Sequence, residues 1–175
     1  MLLERPKDAE PILRRAVAED PAAWRAWNAL GAVYDAAGRW PEAEAAYARA
    51  LETSAGAALV LNNRGYSRLL QRRCDEAAAD LTAALERRPD FAEARANLRL
   101  ALAMSGDYQR ALNGALGPER ATWLNNTGFI AAVRGDFDAA ERFLRQAQDA
   151  KGEHYARAAE NLRVAEALAN AGGAR

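Results

Sequence analysis

The sequence holds a single cysteine, Cys74, and a single histidine, His154. A disulfide within the chain is therefore excluded, as are the Cys/His sets that bind a structural metal, so no metal and no cofactor is expected. No run of about 18 apolar residues is present to cross a bilayer as a helix, and direct membrane insertion is not expected. The opening Met-Leu-Leu-Glu-Arg-Pro-Lys-Asp lacks the apolar stretch and cleavage site of a secretory signal. An excess of either charge is missing too, with 24 Lys and Arg against 24 Asp and Glu. A nucleic-acid partner, which calls for a basic face that displaces phosphate counterions, is not expected. Valine, isoleucine and threonine are scarce, which weakens any strand reading.

What the chain has in abundance is alanine, leucine, glutamate and arginine, all good helix formers, and an all-α fold is expected. It also has a period of 34 residues: Gly31 recurs as Gly65, Ala43 as Ala77, Tyr47 as Leu81 and Ala50 as Ala84. One step back, the same register meets Ala9, Leu13 and Ala16. A fixed period of this size marks a solenoid, in which each unit buries its apolar face only against its neighbours.

The clearest unit runs from Trp24 to Gly56. Trp27, Leu30, Gly31 and Tyr34 lie at helical spacing, with the small residue where a second helix must approach. Gly38-Arg39 breaks the helix and Trp40-Pro41-Glu42 restarts it, proline standing in the first turn where its missing N–H costs nothing. This unit resembles the tetratricopeptide repeat, with Tyr47 where the family pattern has Phe. The resemblance implies a right-handed α-solenoid of antiparallel helix pairs. We read the chain as one such domain, 1–175, with a partial N-terminal repeat over 1–21, repeats over 24–57, 58–91, 92–120 and 121–153, and a capping helix over 154–171. Inside the third repeat Arg99 stands at the glycine position. The spacing from Gly106 to Gly135 is five residues short, so the helix after Tyr108 is expected to lack more than one turn. The N-terminal half-repeat, Asp8 to Glu19 with only residues 1–4 before it, reads either as a tolerated cap or as the sign of an upstream region. In the last helix Ala158, Leu162, Ala165 and Leu168 are expected inward and Glu160, Arg163 and Glu166 outward.

Catalysis has little to stand on, and the chain is not expected to be an enzyme. His154 falls in a loop with no Cys or Ser partner nearby in sequence. Glu42/Glu44 and Asp75/Glu76 open helices, where the helix dipole accounts for them, and Cys74 reads as a buried packing thiol. The remaining candidates line the first helix of each repeat, which the resemblance places on a concave groove. Asn63, Asn97 and Asn126 fall two residues before the glycine position, and Asn28, Asn62 and Asn125 fall one earlier. A primary amide offers both donors and an acceptor and can grip peptide N–H and C=O groups. Tyr66, Leu100 and Phe129, just after the glycine position, add apolar pockets suited to a peptide or partner helix. Two readings stay open for the asparagines, binding a partner or merely capping and solvating. Arg64, Arg68 and Arg72 form an i, i+4, i+8 row. That row reads either as a site for an acidic partner or as a solvated face with Asp75, Glu76 and Asp80 as counter-charges.

The segment Leu124 to Glu141, followed by His154-Tyr-Ala-Arg-Ala-Ala-Glu-Asn-Leu162, is similar to the C-terminal half of TadD-like proteins of the Flp/Tad pilus assembly system. That likeness implies an outer-membrane-associated or periplasmic location; as written, the chain reads as cytoplasmic. The function expected is a protein-interaction scaffold that holds a peptide or partner helix. The alternatives are a homodimer through the incomplete N-terminal repeat, with Leu2, Leu3 and Leu13 in the contact, and a regulatory segment of a larger protein.

Overall fold

The computed structural model describes residues 6–54, 57–151 and 155–172. His154, Leu2, Leu3 and the rest of residues 1–4 lie outside them. Every element among the described residues is helical. The chain divides into two compact units, Met1–Leu98 and Arg99–Arg175.

The first unit contains α1 (Pro6–Glu19), α2 (Trp24–Ala36), α3 (Trp40–Thr53), α4 (Ala58–Leu70), α5 (Cys74–Arg87) and the start of α6 (Ala92–Ser105). Consecutive helices are amphipathic and joined by short turns, so each folds back on the one before. The α2/α3 pair closes on Gly31: a Cβ there would lie 2.7 Å from Tyr47 Cε1. The absent side chain lets the Tyr47 ring lie on the α2 backbone, and Ala43 and Ala50 complete the fully buried inner stripe of α3. Ala9, Leu13 and Val17 of α1 enter the same core. Leu13 is buried there and does not serve as a dimer contact, contrary to the sequence reading; Ile12 beside it is the exposed residue.

The second unit contains the rest of α6, α7 (Tyr108–Leu112), α8 (Gly117–Arg134), α9 (Phe137–Lys151) and α10 (Ala156–Gly172). The α8/α9 pair repeats the same packing, with a Cβ on Gly128 falling 2.7 Å from Leu144 Cγ. Ala158 and Ala165 of α10 join this core, whereas Leu168, expected inward, is exposed. α7 has five residues where α3 and α5 have 14. Arg99 explains why that is tolerated. A full second helix would press a side chain on position 99, as Tyr47 does on Gly31. With the helix cut short the arginine fills the space instead. Its Nη2 donates to the Asn113 carbonyl at 3.2 Å, just past the end of α7, and its guanidinium lies 5.1 Å from the Trp123 ring centroid.

The turn between paired helices uses a left-handed residue: Gly38 (φ 70°), Gly106 (φ 96°) and Gly135 (φ 84°). In the second repeat that place is held by Arg72, at φ 59°. Arg72 is thus a strained turn residue beyond the end of α4 and not the third member of a helical row with Arg64 and Arg68. A non-glycine side chain in this conformation costs roughly 1–2 kcal/mol. Because the Arg72 side chain is exposed, Arg72→Gly is expected to raise stability by about 1 kcal/mol after the greater unfolded-state freedom of glycine is allowed for. The urea unfolding midpoint checks this, and an unchanged or lower midpoint would refute the strain.

Candidate partner-binding site

The predicted asparagines do come together, mostly with one another. In the first unit Asn97 Nδ2 donates to Asn62 Oδ1 (3.1 Å), Asn62 Nδ2 to Asn63 Oδ1 (3.2 Å) and Asn63 Nδ2 to Asn28 Oδ1 (3.1 Å). In the second, Asn161 Nδ2 donates to Asn125 Oδ1 (2.9 Å) and Asn125 Nδ2 to Asn126 Oδ1 (3.3 Å). Each bond between repeats joins one first helix to the next, so the amides form short ladders. They neither cap helix ends nor merely face water. Asn28, Asn62 and Asn125 are only 8%, 8% and 2% exposed, which closes them to a ligand. Asn63, Asn97 and Asn126 are half-buried, and an amide nitrogen with one proton committed keeps a second for another acceptor.

One residue past the glycine position, Tyr66 and Phe129 are 46% and 43% exposed, and Leu100 is half-buried. One helical turn further on, Leu70 and Val133 are 49% and 56% exposed. α10 continues the register with exposed Val164 and Leu168. Apolar side chains four apart on one helix are neighbours and form a short ridge on that helix. Sequence reading missed Leu70, Val133, Val164, Leu168 and Asn161. All but Leu168 carried a signal, for each stands at one repeat interval or one turn from a residue that was chosen.

The arginines of α4 face inward. Arg64 Nε and Nη2 grip Asp80 at 2.8 and 2.6 Å, and Arg68 Nη1 adds a third bond to the same carboxylate at 2.9 Å. Arg68 also pairs with Glu44 of α3, and Arg73 joins Glu44 (3.1 Å) and Glu76 (2.6 Å). The solvated face expected for Arg64 and Arg68 is instead a part-buried ion network linking α3, α4 and α5. Its cations are already taken, so an acidic partner has little to gain there. Burial pushes the Glu44 carboxyl up, but the hydrogen bond from Arg68 and the charges of Arg68, Arg73 and Arg64 outweigh it and hold it below its ordinary value. Nearby, Asp35 accepts from the Tyr47 hydroxyl (2.8 Å) and the Ser67 hydroxyl (2.6 Å), tying α2 to α3 and α4. Burial raises the Asp35 carboxyl despite these donors. Cys74, expected buried, is half-buried at the start of α5. Among the described residues no group of three metal-ligating side chains forms, and no helix is long and apolar enough to cross a membrane.

Residues 3–58 and 62–116 match the family model described as the tetratricopeptide repeat. The chain belongs to the tetratricopeptide repeat family. Its fold is accordingly an all-α tetratricopeptide solenoid, and no catalytic family is indicated. Comparison with curated proteins yields no match. Among solved structures, a tetratricopeptide repeat protein from Parabacteroides merdae is 18% identical over 97% of this chain and 71% of that one, with a TM-score of 0.71. Pseudomonas aeruginosa PilF is 22% identical over 97% and 83%, with a TM-score of 0.61. PilW, a widely conserved type IV pilus biogenesis factor, is 19% identical over 94% and 83%, with a TM-score of 0.63. At these identities the likeness is one of fold. Tetratricopeptide arrays are protein-interaction scaffolds, so the question for this chain is where the partner sits.

Two outcomes are expected of the interior. Asn125→Ala leaves the Asn161 amide without its buried acceptor and should cost about 1–3 kcal/mol, read from the thermal midpoint. Because Glu44 binds its proton less tightly folded than unfolded, its contribution is complete above the ordinary value of 4.5 and is lost as the pH falls through the lower folded value. Glu44→Gln should therefore flatten the loss of stability between about pH 5 and pH 3, measured by urea titrations across that window.

Proposed function

We propose that the chain is a protein-interaction scaffold that seats an amphipathic segment of a partner, in peptide or helical form, on its first helices. The observation that carries this reading is the recurrence of exposed apolar residues in one register beside half-buried amides. In the first unit these are Tyr66 and Leu70 with Asn63 and Asn97; in the second they are Phe129 and Val133 with Asn126, followed by Val164 and Leu168. A partner helix would lay its apolar face on such a ridge, and the spare amide protons would meet its polar edge. The wall is preorganised, since ladder and ion network hold the helices before any partner arrives, and little ordering entropy is lost on the receptor side.

We assign the partner to pilus or secretion-system assembly. The TadD-like string Leu124 to Glu141 and the following Tyr155 to Leu162 support that assignment, as does the presence of pilus biogenesis proteins among the fold neighbours. A homodimer through α1 is the second reading, favoured by exposed Ile12.

A photo-reactive residue placed at position 129 or 70 should cross-link a discrete pilus-assembly protein in the native host. With the probe in place, Tyr66→Asp with Val133→Asp should abolish that cross-link while leaving the melting temperature within about 2 °C, because both side chains are exposed. Cross-links from position 145 on α9 alone, with 129 and 70 silent, would overturn the reading. A mass that rises with concentration and falls on Ile12→Asp would select the dimer.

A further inference from the structure

The second unit contains a cleft of about 760 Å³ that the ridge described above does not use. It lies where α7 stops. A helix as long as α3 or α5 would run on for several more turns, whereas α7 ends at Leu112 and the chain passes through Asn113–Leu116 into α8. Gly114, at φ 69°, turns the backbone away in that stretch. The residues missing relative to a 14-residue helix would have spanned about 13 Å.

The walls carry an unusual combination. Tyr108 and Phe143 meet edge to face, with centroids 5.5 Å apart, and Leu112 stands beside them as an apolar floor. Leu116, 76% exposed, is the most exposed large apolar residue among those described, and it lines the cleft. Two cations, Arg120 and Arg142, also face it. Neither has a carboxylate at ion-pair distance among the described residues. Arg142 lies over the Phe143 ring at 4.8 Å, and Arg120 makes only a long 3.5 Å bond to the Ala115 carbonyl. The one lining carboxylate, Asp107, is occupied. It caps α7 by accepting from the Arg110 backbone N–H at 3.1 Å, and it pairs with the Arg110 guanidinium at 3.3 Å. The Arg64, Arg68 and Arg73 guanidiniums of the first unit are neutralised by Asp80, Glu44 and Glu76. Here two remain beside an open apolar floor.

We propose that this cleft is a second docking site, for a short acidic segment of a partner protein that occupies the place of the missing turns of α7. One large apolar side chain of the segment enters between Leu112, Leu116 and Phe143, and flanking Asp or Glu carboxylates pair with Arg120 and Arg142. Charge complementarity selects this occupant: a basic segment would meet two uncompensated cations, and a purely apolar one would leave both arginines without partners.

Selection of a random twelve-residue peptide library on the full chain tests this. The expected winners place Leu, Ile, Phe or Trp next to Asp or Glu, and bind less tightly as salt rises. Arg120→Glu with Arg142→Glu should weaken a winning peptide about tenfold or more, read by fluorescence anisotropy, and Leu116→Asp should do the same. All three side chains sit on the cleft's open side, and an unchanged circular dichroism melt shows that the variants fold. Phe129→Asp should leave binding intact, which separates failure of this site from failure of the ridge. Basic or uncharged winners would overturn the proposal, as would binding indifferent to charge reversal or lost only in Phe129→Asp. Concentration-dependent self-association abolished by Leu116→Asp would assign the cleft to a second copy and overturn it equally.

Discussion

Everything in this chain depends on how closely two helices of one repeat can approach. Where Gly31 and Gly128 stand in the first helix, the Tyr47 ring and the Leu144 side chain of the second lie on bare backbone, inside the distance at which a Cβ would clash. That contact sets the separation within a pair and buries the alanines that flank it. It also directs the opposite face of the first helix outward, where the exposed apolar ridge appears. The third repeat shows the same constraint from the other side. Arg99 cannot lie beneath a full second helix, and the second helix there is cut to α7.

Within the first unit, repeats are joined by polar contacts as well as by the shared apolar core: the asparagine ladder, the Asp35 carboxylate and the Glu44 ion network. A polar joint of this kind is directional. Replacing one partner strands the other in a half-buried place, so register between repeats is enforced more strictly than apolar packing alone would enforce it. The same satisfaction leaves Asp35, Glu44 and the buried Asn28, Asn62 and Asn125 with little to offer a ligand, while the half-buried amides keep only a spare proton each. Binding capacity passes to residues that folding does not consume: Tyr66 and Leu70 in the first unit, Phe129 and Val133 in the second, and the uncompensated arginines of the α7 cleft.

Much of this was legible in the residues. The 34-residue period, the packing glycines, the restart at Trp40-Pro41 and the shortened helix after Tyr108 are all local or periodic signals, and the structure carries each of them. Tyr66 and Phe129 were found because they repeat. The errors share a cause. For Arg64 and Arg68 the counter-charge Asp80 was named, but their burial and the second partner Glu44, on the preceding repeat, were not. Leu13 read as a surface contact and Leu168 as core because burial at the edge of an array depends on the neighbour present. Arg72 read as helical because spacing alone does not reveal a positive φ.

By itself, then, the sequence determined the class of fold, the repeat unit and the register of every first helix, since these follow from periodicity and from glycine's missing side chain. Only the tertiary structure decided which polar groups are consumed in holding the repeats together and which stay free. The recurrence of residue types along the chain shows where such groups stand, but not which of them bond to one another across helices 12 to 36 positions apart.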